Sequence, residues 1–146
     1  MGKRFTLAEA QSLIPQVSSL LREAVGHKAE FEEAEKAFRS LIERVMAMGG
    51  VSLDRHAALA AKARRESAAA KVREAVERIQ DTGCLVKDLD IGLLDFPTSF
   101  RGVEVYLCWR LGEPSIRFWH GVDEGFAKRK TIDRDFRDHH RGSLEQ

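Results

Sequence analysis

The stretch VYLCWRLGEPSIRFWHG, residues 105–121, decides how the second half of the chain is interpreted. It holds both tryptophans, the only tyrosine and one of the two cysteines. Apolar residues alternate with other residues in its first part, which is the period of a half-buried β-strand. We therefore predict a strand over Val103–Leu111. One face is predicted to carry Val103, Val105, Leu107, Trp109 and Leu111, and the other face Glu104, Tyr106, Cys108 and Arg110.

Gly112-Glu113 follows this strand and predicts a two-residue hairpin turn that begins with glycine. Such a turn fixes which residues lie opposite each other on the two strands. The predicted opposite pairs on the apolar face are Trp109 with Ile116, Leu107 with Phe118 and Val105 with His120. On the other face they are Cys108 with Arg117 and Tyr106 with Trp119.

The first half of the chain has a helical pattern. Thr6-Leu7-Ala8-Glu9 is a capping box, which predicts a helix start. Apolar residues then follow in steps of three and four up to Val45, the spacing of a coiled-coil seam. Gly49-Gly50 should end this helix, and Ser52 can cap the next one. The second helix is predicted over Leu53–Thr82, with Gly83 as its left-handed stop.

These elements together predict an α+β fold, in which a long antiparallel helical hairpin precedes a small antiparallel β-sheet. Cys84-Leu85-Val86 and Leu93–Phe96 are the further strand candidates. The predicted divisions are the hairpin at 1–82, the sheet region at 83–127 and a loose polar tail at 128–146. Alanines dominate the apolar face of the second helix and bury little area, so we expect the hairpin to self-associate, with a dimer preferred.

Composition excludes several classes of function. The chain has 24 basic and 23 acidic residues, of which 14 and 12 lie in residues 1–82. Neither part supplies the basic stripe that nucleic-acid binding requires. There is no apolar run long enough to span a membrane and no signal-peptide pattern. The two cysteines lack zinc-like or redox spacing, so we expect reduced thiols in a cytoplasmic protein.

Three stretches resemble a bacterial family known as domain-of-unknown-function family 2203. They are FTLAEAQSLIP at residues 5–15, LVKDLDIGLLDFP at 85–97 and VYLCWRLGEPSIRFWH at 105–120. The continuation GVDEGFAKRK at 121–130 is also similar to that family. The resemblance implies a bacterial or archaeal cytoplasmic origin, and it implies no activity, substrate or catalytic residue.

The polar face of the predicted hairpin is the first candidate site. Aromatic rings beside guanidinium groups suit a planar or anionic small ligand, or an acidic peptide. The alternative is that the helices cover this face. The predicted ligand-binding residues are Tyr106, Cys108, Arg110, Glu113, Arg117 and Trp119. This interpretation makes the protein a non-catalytic, self-associating binding or scaffold module.

The second candidate is a metal- or thiol-dependent enzyme. Its possible ligands for zinc or iron are His120, Cys108, Asp123 and Glu124, with Glu113 nearby. The predicted pairing opposes this site, because it puts Cys108 and His120 on opposite faces unless a bulge precedes His120 at the end of its strand. A thiol reaction would need Arg110 and Arg117 to lower the pKa of Cys108. Asp88 and Asp90 do not match a calcium loop and are predicted to organise a turn.

Overall fold

A computed structural model describes residues 2–49 and 55–143. Helix α1 spans Leu7–Ala47 and α2 spans Arg55–Gln80. The predicted capping box is confirmed, since the Glu9 N–H donates to Thr6 Oγ1 at 3.1 Å and the Thr6 N–H to Glu9 Oε1 at 2.9 Å. Gly83 has the predicted left-handed conformation, with φ of +98°. The predicted helix start at Leu53 and its Ser52 cap lie outside the described residues.

The strands form one antiparallel sheet in the order β1-β2-β3-β4-β5, and β6 pairs with β2. The predicted α+β fold, with a long helical hairpin before a small antiparallel sheet, is therefore confirmed. The strands are β1 Leu85–Asp88, β2 Leu93–Phe100, β3 Val103–Arg110, β4 Phe118–Gly121, β5 Lys130–Thr131 and β6 His140–Arg141. Asp88 organises the β1–β2 turn as predicted, because its Oδ1 accepts the N–H groups of Asp90 and Ile91 at 2.9 and 3.3 Å.

One face of the sheet is the apolar core. Residues of β3 alternate as predicted, and those of β2 alternate with them, so that Leu94, Phe96, Leu107 and Trp109 share a face and are all at most 2% exposed. Phe5 joins this core, with its ring edge-on to that of Phe96 at 5.4 Å between centroids. The Phe5 N–H donates to the Pro97 carbonyl at 2.7 Å, which ties the start of the chain to β2.

The predicted pairing between β3 and β4 is wrong by one residue. Cys108 lies opposite Phe118, Leu107 opposite Trp119, and Tyr106 opposite His120. The cause is the connection, which covers residues 111–117 instead of a two-residue turn. Glu113 shapes this loop, since its Oε1 accepts the Arg110 N–H at 2.6 Å and its carbonyl accepts the Trp109 indole N–H at 3.1 Å. A shift of one residue moves every side chain of β4 to the other face.

The prediction of a loose tail is also wrong for the described residues after 127. Helix α3 spans Arg134–His139, and Asp133 caps it by accepting the Phe136 N–H at 2.9 Å. Phe136 is fully buried, and its ring stacks on Trp119 at 4.9 Å between centroids. His140 Nε2 accepts the Leu7 N–H at 2.9 Å, so the end of the chain caps the start of α1.

The chain divides into two compact units. One consists of Met1–Leu21 with Val76–Gln146, and the other is Arg22–Ala75. The second unit holds the greater part of both helices. Within it, an ion pair of 3.0 Å between Glu35 on α1 and Arg65 on α2 links the two helices. Among the residues of this unit that the structure describes, the buried apolar side chains are alanines, namely Ala24, Ala34, Ala58, Ala61, Ala68 and Ala75. Among the described residues, no helix combines the length and the apolar character needed to cross a membrane.

Candidate metal centre

Three side chains with different donor atoms meet on the non-core face of the sheet. They are Asp95 on β2, Cys108 on β3 and His120 on β4, which are 1%, 0% and 3% exposed. One oxygen, the sulfur and one ring nitrogen of these residues all lie within 4.8 Å of one another. Within the described ranges this is the one such group of three histidine, cysteine or acidic residues.

The strand pairing explains why these residues meet. Asp95 lies directly opposite Cys108, and His120 lies opposite Tyr106, two residues along β3 from Cys108. Residues two apart on a strand point to the same face, so all three side chains project from one side. The prediction that Cys108 and His120 lie on opposite faces is therefore wrong, because it followed from the shifted pairing.

Hydrogen bonds orient the imidazole of His120. Its Nδ1 lies 2.8 Å from the Gly121 carbonyl oxygen, which can only accept, so Nδ1 carries a proton. Nε2 lies 3.0 and 3.1 Å from the two carboxylate oxygens of Asp95. A further proton must lie between Nε2 and the carboxyl group, since two acceptors would otherwise face each other. The arrangement leaves Nε2 as the nitrogen available to a metal once that proton leaves.

Burial raises the pKa values of the other two groups. It raises the pKa of Asp95 above its ordinary range, although His120 opposes this by lowering the pKa. Burial, aided by the nearby Asp95, raises the pKa of the Cys108 thiol to about 12. The hypothesis that Arg110 and Arg117 create a thiolate is therefore wrong for the metal-free protein. The guanidinium near the sulfur belongs to Arg129, whose Nη1 is 4.0 Å from Sγ and does not offset the burial.

Arg129 covers the Cys108 side of the cluster. It forms two hydrogen bonds of 2.9 and 3.1 Å with the carboxylate of Glu113. Its guanidinium also lies 4.1 Å from the ring centre of Phe118 and 4.2 Å from that of Phe126. A planar cation held by a carboxylate and two aromatic rings is a rigid element. Arg129 thus holds the segment after β4 against the sheet.

A cavity of about 130 Å³ adjoins the other side of the cluster. Asp95 and His120 form part of its wall, and the remaining lining residues are Lys87, Leu93, Tyr106, Val122, Glu124, Gly125 and Phe126. Two larger grooves, of about 380 and 370 Å³, lie on the helices of the second unit and contain neither histidine nor cysteine. Of these three, the small cavity is the one that adjoins a cluster of metal-ligating groups.

The structure separates the predicted ligand-binding residues. Tyr106, Cys108 and Arg110 share the cluster's face, and the Arg110 guanidinium lies 5.7 Å from the ring centre of Phe126. Trp119 lies on the opposite, core face beside Phe100 and Phe136. Arg117 is exposed and donates to the Ser115 hydroxyl at 3.2 Å.

Two of the predicted metal ligands are not in the cluster. Asp123 is exposed. Glu124 lines the cavity, but its Oε1 accepts the Gly121 N–H at 2.8 Å and lies 2.5 Å from Lys130 Nζ. Glu113, the neighbouring carboxylate, is held by Arg129. Of the residues predicted as ligands, the structure brings together only Cys108 and His120.

Sequence reasoning missed Asp95 and Arg129. Asp95 had a detectable signal, because a lone carboxylate within the apolar run Leu93–Phe96 of a predicted strand must be buried and partnered. Arg129 had none, since it stands in the basic run 128–130, in a segment that looked like the start of a polar tail.

Comparisons with known proteins agree with the resemblance noted in the sequence. Neither a curated protein nor a solved structure shows a significant match. The match to a family covers residues 3–132, and the description of that family is "Uncharacterized conserved protein (DUF2203)". These residues include β1 to β5 and all three members of the cluster. The chain therefore belongs to the DUF2203 family.

Proposed function

We propose that this protein binds one zinc ion through Asp95, Cys108 and His120. The observation that carries the proposal is the convergence of three different zinc-ligating atoms within 4.8 Å in a buried site. Carboxylate oxygen, thiolate sulfur and imidazole nitrogen are all ordinary zinc ligands, and their mixture favours zinc over the oxygen-preferring Mg²⁺ and Ca²⁺.

The distances require only small movements on zinc binding. Tetrahedral zinc, with bonds of about 2.0–2.3 Å, holds its ligand atoms roughly 3.3–3.8 Å apart. His120 Nε2 and Asp95 Oδ1 are 3.0 Å apart, and the spread of the three atoms is at most 4.8 Å. Zinc would take the place of the proton between Nε2 and the carboxyl group. The hydrogen bond from Nδ1 to the Gly121 carbonyl would then orient the ligating ring.

Three protein ligands leave the fourth position of a tetrahedral zinc ion free. Structural zinc sites are closed by four protein ligands, whereas catalytic sites keep one position for water or substrate. Asp95 and His120 form part of the cavity wall and Cys108 does not, so these residues would hold a zinc ion at the edge of the cavity, where water or a small ligand could reach it. This supports a metal-dependent activity over the binding module with an aromatic and arginine site, because Trp119 and Arg117 lie away from the cluster.

Zinc content per chain tests the proposal. Protein reconstituted with zinc and freed of excess metal should contain about one zinc per chain by elemental analysis. After the same treatment, Cys108→Ala and His120→Ala, which should bind zinc more weakly, should each contain much less than one zinc per chain. Cys84→Ala and His56→Ala are the matched controls, because Cys84 is the other buried free thiol and His56 lies on α2.

Two outcomes would contradict zinc binding by this cluster. One is wild-type protein that carries no zinc after reconstitution. The other is His120→Ala protein that keeps the metal while its circular dichroism spectrum is unchanged. Either result would leave the three residues as a buried hydrogen-bonded network of the sheet.

We also propose that the unit Arg22–Ala75 self-associates as a homodimer. Its buried alanines contribute little apolar area each, so the unit gains little stability from its own core. Large apolar side chains remain exposed on it, with Ile42 at 37%, Met46 at 77%, Met48 at 59% and Leu59 at 55%. The same helices of a second chain can pack on this surface, because small and large apolar side chains on two copies complement each other.

Molar mass in solution tests self-association. Light scattering on a sizing column should give about twice the chain mass of 16.5 kDa at micromolar concentration. Ile42→Glu combined with Leu59→Glu should shift the protein to a monomer. Val103→Glu is the control, since Val103 is equally apolar and 63% exposed but lies on the sheet. A wild-type monomer would contradict the proposal.

A further inference from the structure

We propose that the cavity beside Asp95 and His120 binds a small monoanion of about four heavy atoms, such as a carboxylate or bicarbonate, at the free position of the metal. This proposal rests on the zinc site proposed above and names the class of ligand that the site takes.

The charges of the loaded site favour an anion. A Zn²⁺ ion with one thiolate, one carboxylate and one neutral imidazole has no net charge. Glu124, the other acid on the cavity wall, is balanced by Lys130 at 2.5 Å. Lys87 also lines the cavity, with its ammonium 4.8 Å from the ring centre of Tyr106. Its positive charge gives the loaded cavity a net charge of +1, which a bound monoanion would neutralise.

The size of the cavity favours a small ligand. Drug-sized ligands need about 300–1,000 Å³, whereas this cavity offers about 130 Å³. At roughly 30 Å³ per water molecule, that is room for about four waters, or for an anion with a similar number of heavy atoms.

The walls suit an ion that keeps one end against the metal. Tyr106, Phe126, Val122 and Leu93 provide apolar surface, and the cationic Lys87 is exposed. Low-dielectric walls strengthen the attraction between a bound anion, the metal and the ammonium.

Cobalt substitution allows the metal and the anion to be measured separately. Co²⁺ replaces zinc in such sites and gives visible bands that report its coordination, with a thiolate charge-transfer band if Cys108 is a ligand. The full chain is loaded with Co²⁺ and titrated with sodium formate, acetate and bicarbonate, against sodium sulfate as a larger dianion. Formate, acetate and bicarbonate should each change the visible bands saturably.

Three variants locate the anion. Lys87→Met should weaken anion binding about five- to tenfold, the effect of one exposed charge on the cavity wall, and should still bind cobalt with the thiolate band. Val122→Trp should abolish the anion response by filling the cavity. Lys62→Met on α2 is the charge-matched control and should change neither.

The outcomes distinguish this proposal from the metal site itself. Cobalt bound with a thiolate band, but with no response to the small anions, overturns the anion proposal and leaves the metal site standing. A saturable response that is the same in Val122→Trp also overturns it, because the anion then binds elsewhere. A chain that binds no cobalt overturns both proposals.

Discussion

Raising the pH from about 6.5 to about 7.5 should tighten zinc binding about 100-fold, because two protons leave the site when the metal enters. The first comes from Cys108, whose thiol has its pKa raised to about 12 and is protonated throughout this range. The second is the proton between His120 Nε2 and Asp95, whose presence follows from the 3.0 Å contact. Each released proton contributes a factor of ten per pH unit, about 1.4 kcal/mol.

The free energy of zinc binding should therefore become more favourable by about 2.7 kcal/mol per pH unit. A competition titration against a chelating dye, corrected for the dye's own protonation, measures the affinity at each pH. Calorimetry in two buffers of different ionisation enthalpy counts the released protons directly. Wild-type protein should release about two, and Cys108→Ala should bind zinc more weakly and release about one.

A wild-type release of fewer than two protons would refute this reasoning. A value near one would mean that the thiol stays protonated and is no ligand, or that the Asp95–His120 pair has no shared proton. A wild-type value that also appears in Cys108→Ala would exclude the thiol specifically. His56→Ala is the control, and its proton count should equal that of the wild type.

Three further predictions concern the protein without metal. Asp95→Asn should raise the free energy of unfolding by about 1 kcal/mol at neutral pH. Burial raises the folded pKa of Asp95, so the wild type loses stability as the pH rises above about 4, the pKa of an unfolded aspartate. Denaturant titrations should therefore show that the variant is no more stable than the wild type in acid and that its advantage grows with pH. Cys84 and Cys108 should react with a thiol reagent only after denaturant is added, because both are buried; fast reaction of the folded protein would contradict this. Phe136→Ala should lower the free energy of unfolding by about 3–5 kcal/mol, because Phe136 is fully buried. Val122→Ala, at an exposed site, is the control and should change it by less than about 0.5 kcal/mol. A small loss for Phe136→Ala would mean that α3 is not part of the core.

Elements that depend on local physics could be predicted from the sequence. The helix start at Leu7, the stop at Gly83 and the Asp88 turn each rest on hydrogen bonds or dihedral angles within a few residues. The alternation of Val103–Arg110 was predicted for the same reason, because the period of two belongs to a single strand. Cys108 and His120 were identified as possible ligands from their donor atoms alone.

The pairing of β4 and the folding of residues 128–143 depended on the tertiary structure. A glycine after an alternating strand predicts a tight turn, but Glu113 builds a longer loop through contacts with Arg110 and Trp109. Phe136 looks isolated in a polar segment, and only its stacking on Trp119 makes that segment part of the core. Such contacts join residues from separate elements, and local propensity does not encode them.

The sequence by itself predicted the α+β class, the two long helices, the alternation of β3 and two of the three residues of the candidate site. The tertiary structure alone decided that Asp95, Cys108 and His120 share one face. The physical reason is the period of a β-strand, since a one-residue change in the pairing of β4 moves His120 from the core face to the cluster. The length of one loop, which follows from the contacts of Glu113, therefore decides whether a metal centre can form.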